Sequence, residues 1–183
     1  MKIVRSVLKR AAGPALVAGL VVTSAAAPAA AATTAATPGS TAFRIPGVLA
    51  GLQARSGVAN DVRAEVVGGR LILSDATGVA IGPGCTRRSA TSADCGGVST
   101  VPRLVMALDD RDDRAVVDDS VGASVNVIVD AGTGRDNVTT DGGNDLIDVR
   151  DNASGDTVSC GAGADTVFAD TGDKVSSNCE KRF

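Results

Sequence analysis

The sequence predicts an all-β protein in which an N-terminal region of short strands continues into a short β-solenoid. Asp, which favours turns over helices, provides 19 of the 21 acidic residues, and only two are Glu. Beyond the first 32 residues, no window shows a sustained helical period. In the last third of the chain, an Asp and an apolar residue recur together at short intervals. These observations favour stacked short strands joined by Asp-rich turns.

Residues 1–32 predict an export signal. Four cations precede an apolar stretch at residues 11–22, and an Ala-rich run follows that a signal peptidase would accept. A membrane anchor is the alternative, but the apolar content is mostly Ala, which is thin for a span of about 20 residues. We therefore expect cleavage, a secreted protein with no membrane insertion afterwards, and a flexible spacer over residues 33–44.

The charge balance limits the possible partners. Removal of the four signal cations leaves 14 Lys and Arg against 21 acids, a net charge of −7. Such an acidic protein is not expected to bind nucleic acid or an anionic membrane. Three Phe are the only aromatic residues, so the core must consist of Val, Ile, Leu and Ala. These side chains pack well between closely spaced strands, which predicts a thin core.

Residues 45–129 are predicted to form an N-terminal β region. Two runs rich in Val, Ile and Leu flank Gly68-Gly69 and predict a hairpin. The run at residues 98–108 contains Pro102, which predicts an edge strand or a bend because proline cannot donate to a strand ladder. Residues 124–130, "SVNVIVD", alternate between apolar and polar and predict a further strand.

The four cysteines predict disulfides, because the chain is expected to leave the cytoplasm. Sequence order favours Cys85–Cys95 and Cys160–Cys179, although four cysteines allow three pairings. A zinc site is not expected, since the chain has no His and no C-x-x-C motif.

Residues 130–183 contain a short repeat. An Asp recurs at steps of nine, eleven, nine and eight residues, and an apolar residue follows each Asp two places later. The acids are Asp136, Asp145, Asp156, Asp165 and Asp173, and the apolar residues are Val138, Ile147, Val158, Val167 and Val175. A repeat this short predicts a solenoid whose apolar residues fill the interior.

The segments "AGTGRDNVT" and "CGAGADTVF" resemble the G-G-x-G-x-D-x-U-x nonapeptide of the RTX, or haemolysin-type, calcium-binding family, apart from their first residue. The resemblance implies a parallel β-roll with two nonapeptides in each coil. It also implies calcium held between turns by Asp carboxylates and turn carbonyls. The five repeated Asp residues are then the metal ligands, and the turn glycines are Gly132, Gly134, Gly143, Gly161 and Gly163.

Calcium suits this residue set because it takes six to eight oxygen ligands, while glycine lets backbone carbonyls turn toward one ion. Alternate repeats lie on one side, which pairs Asp136 with Asp156, Asp145 with Asp165, and Asp156 with Asp173. No unit keeps the first glycine and only two keep G-x-G-x-D, so we expect a few weak sites, with affinities on the order of 10⁻⁴–10⁻³ M. A Cys160–Cys179 bridge would staple the last coil.

Three alternatives remain at this point. Residues 130–178 could form an antiparallel meander without metal, although a meander has no reason to keep a nine-residue phase. Residues 108–119, "LDDRDDRAVVDD", could be an eroded repeat with Asp113 as a ligand, but a solvated charge run is favoured. An enzyme is not expected, because the chain lacks His and any nucleophile motif.

The predicted function is calcium-coupled folding of a secreted β-roll protein. The alternative is a disulfide-capped β-solenoid that serves as a structural or interaction protein of the cell envelope and has vestigial metal sites. The sequence does not indicate a particular protein or glycan partner.

Overall fold

The computed structural model describes residues 36–183, so the export signal predicted at residues 1–32 lies outside the described residues. From Pro38 to Phe183 the chain forms one structural unit. The described residues contain one 3₁₀ turn, Val98–Thr100, and sixteen strands. The strands are β1 (Ser40–Ile45), β2 (Leu49–Ala54), β3 (Asp61–Val67), β4 (Arg70–Asp75), β5 (Val79–Ile81), β6 (Thr86–Arg87), β7 (Ser92–Gly97), β8 (Arg103–Ala107), β9 (Arg114–Val117), β10 (Asn126–Asp130), β11 (Asn137–Thr139), β12 (Leu146–Asp148), β13 (Thr157–Ser159), β14 (Thr166–Phe168), β15 (Lys174–Val175) and β16 (Lys181–Arg182).

The strands form two eight-stranded sheets, which confirms the predicted all-β class. The order of the first sheet is β16-β14-β12-β10-β8-β2-β1-β5, and that of the second is β15-β13-β11-β9-β3-β4-β7-β6. From β8 onward, consecutive strands alternate between the sheets, and each pairs in parallel with the strand two places along the chain. This connectivity is that of a coil that winds between two sheets, with about two strands in each turn.

The N-terminal strands continue into the same two sheets. Strands β1 and β2 form an antiparallel hairpin, as do β3 and β4 around the glycine pair at residues 68–69, which confirms that hairpin prediction. Strand β2 then pairs in parallel with β8, and β3 pairs in parallel with β9. The parallel coil therefore begins upstream of residue 130, where the spacing of the repeats becomes visible in the sequence.

Within the repeats of residues 130–183, the interior is filled by β-branched side chains, as the repeat predicts. Of the five apolar residues that follow the repeated acids, four are at most 1% exposed: Val138, Ile147, Val158 and Val167. Val175, in the last coil, is partly buried against the same core. Burial of each such side chain stabilises the fold by about 1.5–3 kcal/mol relative to an exposed one.

One local prediction was wrong in detail, and of the two outcomes expected at Pro102 one is observed. Strand β1 begins at Ser40, inside the spacer predicted for residues 33–44, because its backbone pairs with β2 on one side and β5 on the other. At Pro102, where an edge strand or a bend was expected, the chain forms the bend, and β8 begins directly after it as a central strand between β2 and β10. Pro102 stands just before this strand, so no ladder donor is lost, and its carbonyl accepts the backbone N–H of Asn126.

Both predicted disulfides are present. Cys85–Cys95 joins the loop before β6 to β7, with 4.2 Å between the Cα atoms. Cys160–Cys179 joins the turn after β13 to the segment before β16, with 5.2 Å between the Cα atoms. Two disulfides fit an oxidising compartment of the extracellular type. Within residues 36–183, no helix has the length and apolar character to cross a membrane.

Candidate metal centre

The coil places its repeated acids in two columns. Each column lies along one side of the coil, where the chain turns from one sheet to the other. The first turn column contains the residues just before β9, β11, β13 and β15, which are Asp113, Asp136, Asp156 and Asp173. The second turn column contains the residues just before β12, β14 and β16, which are Asp145, Asp165 and Glu180. Each acid therefore lies above the acid of the preceding coil, because parallel strands in register stack equivalent positions.

Within the first turn column, each carboxylate accepts a backbone N–H from the coil before it. The N–H of Asp113 donates to Oδ1 of Asp136, with 2.8 Å between the two atoms. The N–H of Asp136 donates to Oδ1 of Asp156 at 2.7 Å, and that of Asp156 donates to Oδ1 of Asp173 at 3.2 Å. The pairs expected from the sequence, 136 with 156 and 156 with 173, are thus adjacent.

The second turn column repeats this arrangement. The N–H of Val127, which stands where the repeat lacks an Asp, donates to Oδ1 of Asp145 at 2.8 Å. The N–H of Asp145 donates to Oδ1 of Asp165 at 2.8 Å, and that of Asp165 donates to Oε2 of Glu180 at 2.8 Å. The third expected pair, 145 with 165, is therefore also adjacent. Glu180 closes the column, and the sequence did not single it out because it breaks the Asp pattern.

Burial raises the pKa of most of these carboxyl groups. The six Asp residues of the two columns are between 0% and 6% exposed. Burial raises the pKa of Asp113 and of Asp136 to about 7 and that of Asp145 to about 6, and the accepted N–H opposes the change in each case. Burial likewise raises the pKa of Asp156 and Asp165, with a smaller upward effect from neighbouring carboxylates. The stacked acids therefore resist being charged together without a compensating cation.

Some carboxylate oxygens in the columns lack a partner. Oδ2 of Asp113, of Asp145 and of Asp165 is buried and has no hydrogen-bond partner within the described part of the chain; the hydroxyl of Thr140, near Asp145, donates to the carbonyl oxygen of Cys160 instead. Two of these atoms belong to adjacent coils of the second turn column. A buried acceptor without a partner costs about 1–3 kcal/mol, and more if it is charged. These oxygens can therefore bind a hydrogen-bond donor or a cation.

The turn glycines explain how the columns stack so closely. Gly132 and Gly134 have φ values of +90° and +147°, and Gly161 and Gly163 have nearly the same values, +84° and +153°. The two G-x-G-x-D units therefore form the same turn. A Cβ at Gly161 would lie 1.8 Å from the carbonyl oxygen of Asp141 in the coil before it. Only glycine leaves room for the backbone of the preceding turn.

Asp113 belongs to an eroded repeat, so the solvated charge run favoured from the sequence was wrong at this residue. It is 3% exposed and stacks against Asp136. Asp109 and Arg111 both have φ of +81°, at the positions that Gly132 and Gly134 occupy one coil later. The repeat was hidden because these two residues adopt the left-handed conformation in place of glycine, at a cost of about 1–2 kcal/mol each.

The available ligand atoms are oxygens, which hard cations such as calcium prefer over the softer transition metals. The acids supply only oxygen, and the chain has no His, while all four cysteines are in disulfides. Among residues 36–183 no group of three or more His, Cys, Asp or Glu side chains is arranged to hold a metal ion. Within residues 36–183 the buried acids therefore stand in neighbouring pairs along each column rather than in larger clusters.

Comparison of the chain with protein-family models, with curated proteins and with solved structures finds no match.

The raised pKa values predict an unusual pH dependence of stability in the absence of divalent cations. Asp113, Asp136 and Asp145 have folded pKa values of about 7, 7 and 6 against an ordinary 3.8. Between the unfolded and the folded pKa, the folded state binds more protons than the unfolded state. The free energy of unfolding therefore decreases as the pH rises from about 4 to about 7. In EDTA we expect the melting temperature to rise by about 10 °C between pH 7.5 and 5.5, since proton uptake by the three groups contributes about 4 kcal/mol and about 1 kcal/mol shifts the melting temperature by roughly 2–4 °C.

An Asp136→Asn variant is the control for this experiment. Asparagine keeps an oxygen that can accept the N–H of Asp113 but cannot ionise, so the variant should show a shallower pH dependence. A wild-type melting temperature that falls steadily on acidification over the same interval would contradict the assignment of buried, proton-binding carboxylates.

Proposed function

We propose that this protein is a secreted calcium-binding β-roll protein whose folding is coupled to extracellular calcium. The observation that supports the proposal is the pair of columns of buried, stacked carboxylates, in which Oδ2 of Asp145 and of Asp165 have no hydrogen-bond partner among residues 36–183. The ligand pairs would be Asp136 with Asp156, Asp156 with Asp173, and Asp145 with Asp165. Bound calcium would supply positive charge between coils.

A bound cation would stabilise the fold by offsetting the negative charge of the stacked carboxylates. In the absence of a cation, each coil adds a buried carboxylate close to the carboxylate of the coil before it, and burial already disfavours the charged form. A cation that binds the stacked coils but not the separated chain would stabilise the folded state by mass action. With affinities on the order of 10⁻⁴–10⁻³ M, about 10 mM calcium would contribute roughly 1.4–2.7 kcal/mol per site.

Secretion is part of the same proposal. Low calcium inside the cell would leave the acidic coils unstable and the chain competent for export, and higher calcium outside would complete folding. The two disulfides support this direction of transport because they form in oxidising compartments. The basic and apolar segment at residues 1–32 would direct the export.

The second candidate is a cation-independent, disulfide-capped β-solenoid that serves as a structural or interaction protein of the cell envelope. Its supporting observation is that each column carboxylate already accepts a backbone N–H from the neighbouring coil. Such hydrogen bonds would hold the coils together without metal. That the protein is not an enzyme stays a prediction from the sequence.

Calcium titration separates the two candidates. We expect calcium up to about 10 mM to raise the melting temperature and to increase the far-UV circular dichroism signal of β structure, and magnesium at equal concentration to do much less, because magnesium demands stricter octahedral geometry. A spectrum and melting temperature that ignore calcium would favour the cation-independent candidate.

The double variant Asp145→Asn, Asp165→Asn locates the response. Asparagine keeps an acceptor for each backbone N–H and removes both buried charges, so the variant should keep its calcium-free stability and lose the response of the second turn column. The matched control is Asp61→Asn, Asp119→Asn, which removes two exposed charges. An unchanged response in the first variant would mean that this pair of residues does not bind the ion.

A further inference from the structure

Asn60 occupies the first position of the first turn column. It stands immediately before β3, as Asp113 stands immediately before β9, and the register between these strands pairs Asp61 with Arg114. The backbone N–H of Asn60 donates to Oδ1 of Asp113, with 2.6 Å between the two atoms. Asn60 therefore continues the column by one coil, into the N-terminal hairpins and outside the nonapeptide repeats.

The side-chain amide of Asn60 has a fixed orientation. Its Nδ2 atom lies 2.7 Å from Oδ2 of Asp75, 3.1 Å from the carbonyl oxygen of Gly39 and 3.2 Å from Oγ1 of Thr77. All three neighbours are hydrogen-bond acceptors, so the nitrogen must face them and the oxygen must face away. Asp75 is in turn held by the N–H and hydroxyl of Thr77.

Two buried oxygens on these contacting residues have no hydrogen-bond partner within the described chain. They are Oδ1 of Asn60 and Oδ2 of Asp113. Asn60 is 2% exposed and Asp113 is 3% exposed, so bulk solvent does not satisfy either atom. The two oxygens belong to residues that contact each other, because the backbone N–H of Asn60 donates to the other oxygen, Oδ1, of the Asp113 carboxylate.

The charges around this contact favour a cation as its ligand. The negative charges of Asp136, Asp75 and Asp110 each raise the pKa of Asp113. None of the ion pairs formed by residues 36–183 includes Asp113 or Asp75. Removal of a carboxylate from water costs several kcal/mol, and the single N–H that Asp113 accepts leaves its Oδ2 unsatisfied. An amide oxygen and carboxylates are the donors that calcium prefers.

We propose that Asn60 and Asp113 form a further calcium site, in which Oδ1 of Asn60 and Oδ2 of Asp113 are ligands, at the junction between the N-terminal hairpins and the coil. The identity of the ion rests on the proposed function. The site would tie β3 to β9, and hence the antiparallel hairpins to the repeats. Asp75 is a positioning residue, because it holds the amide so that its oxygen faces the ion.

The test combines nuclear magnetic resonance with variants, using the purified protein with both disulfides formed. In the wild type, calcium should shift the side-chain NH₂ resonances of Asn60, since coordination of Oδ1 polarises the amide. The shift should saturate with calcium and should not appear with equal magnesium. It should persist in the Asp145→Asn, Asp165→Asn variant, whose changes lie in the other column.

Asp113→Asn and Asp61→Asn are the matched pair of variants. Both remove one charge at the same coil, but Asp61 is exposed and pairs with Arg114 at the surface. By calorimetry, Asp113→Asn should lose one calcium ion or weaken it at least tenfold, and Asp61→Asn should match the wild type.

Two results would overturn the inference alone. One is an Asn60 side chain that ignores calcium while resonances of the second turn column respond, which would leave the proposed function standing. The other is an Asn60 side chain that responds to pH alone, which would mean that a proton on Asp113 satisfies the contact. A protein in which no resonance responds to calcium would overturn the proposed function as well.

Discussion

Replacement of Gly161 by alanine is expected to destabilise the protein by about 2–5 kcal/mol. Gly161 has φ of +84°, and an added Cβ would lie 1.8 Å from the carbonyl oxygen of Asp141, which is backbone and cannot rotate away. The left-handed conformation costs about 1–2 kcal/mol for an L-residue, and forced overlap costs typically 1–3 kcal/mol more. Denaturant unfolding of the variant measures the sum.

Gly122→Ala is a matched control for this variant. Gly122 has φ of +78°, close to that of Gly161, but nothing lies within 4 Å of its added Cβ. The control should cost only the conformational part, about 1–2 kcal/mol. Equal losses in the two variants would mean that the turns are not stacked as closely as the structure has them, and would remove the basis for the column geometry.

Loss of the Cys160–Cys179 disulfide is expected to cost about 3 kcal/mol and to loosen the last coil. The bridge closes a loop with a sequence separation of 19, and chain-entropy estimates for loops of that length give roughly 3 kcal/mol. It links the turn after β13 to the segment before β16, the edge strand of the first sheet. Hydrogen exchange in a Cys160→Ser, Cys179→Ser variant should therefore rise first in residues 174–183.

The other disulfide provides the comparison. A Cys85→Ser, Cys95→Ser variant loses a bridge with a sequence separation of 10 and should lose similar stability, but its faster exchange should lie in β6 and β7. Faster exchange at the same residues in both variants would contradict the view that one bridge caps the coil and the other holds the hairpin region.

Local patterns allowed much of the fold to be predicted. The hairpin around Gly68 needs only a turn signal between two apolar runs, and the alternation at residues 124–130 identified β10. The buried positions after each repeated Asp followed from the two-residue period of a strand. Both disulfides followed from sequence order, because each closes a short segment of chain.

The start of the coil could not be predicted, because its first turns do not keep the length of the later ones. Asp61 pairs with Arg114 and Arg114 with Asn137, so the coils are separated by whole hairpins and longer loops before the nine-residue phase begins. A spacing rule finds repeats only where the insertions are short. Asn60 is therefore visible as a neighbour of the column only in three dimensions, and Asp113, which the sequence offered as the less favoured eroded repeat, is placed in the column by its contact with Asp136.

The remaining residues of the columns and their turns were not predicted because their residue types differ from the Gly and Asp of the repeat. Glu180, whose side chain is one methylene longer, stands where the repeat would have an Asp. Asp109 and Arg111 stand where later coils have turn glycines, and their left-handed conformation has an energetic cost. A pattern that demands Gly and Asp excludes all three. The backbone hydrogen bonds to the carboxylates were also out of reach, because they depend on stacking between coils that are far apart in sequence.

The most direct test of the central claim, that the stacked carboxylates are oxygen ligands of calcium, is isothermal titration calorimetry of the protein with both disulfides intact. We expect saturable calcium binding with affinities on the order of 10⁻⁴–10⁻³ M. The Asp145→Asn, Asp165→Asn variant should bind fewer ions than its surface-charge control. Absence of saturable binding up to about 10 mM calcium, in a protein that is folded by circular dichroism, would contradict the account and favour a coil held by its carboxylate–backbone hydrogen bonds alone.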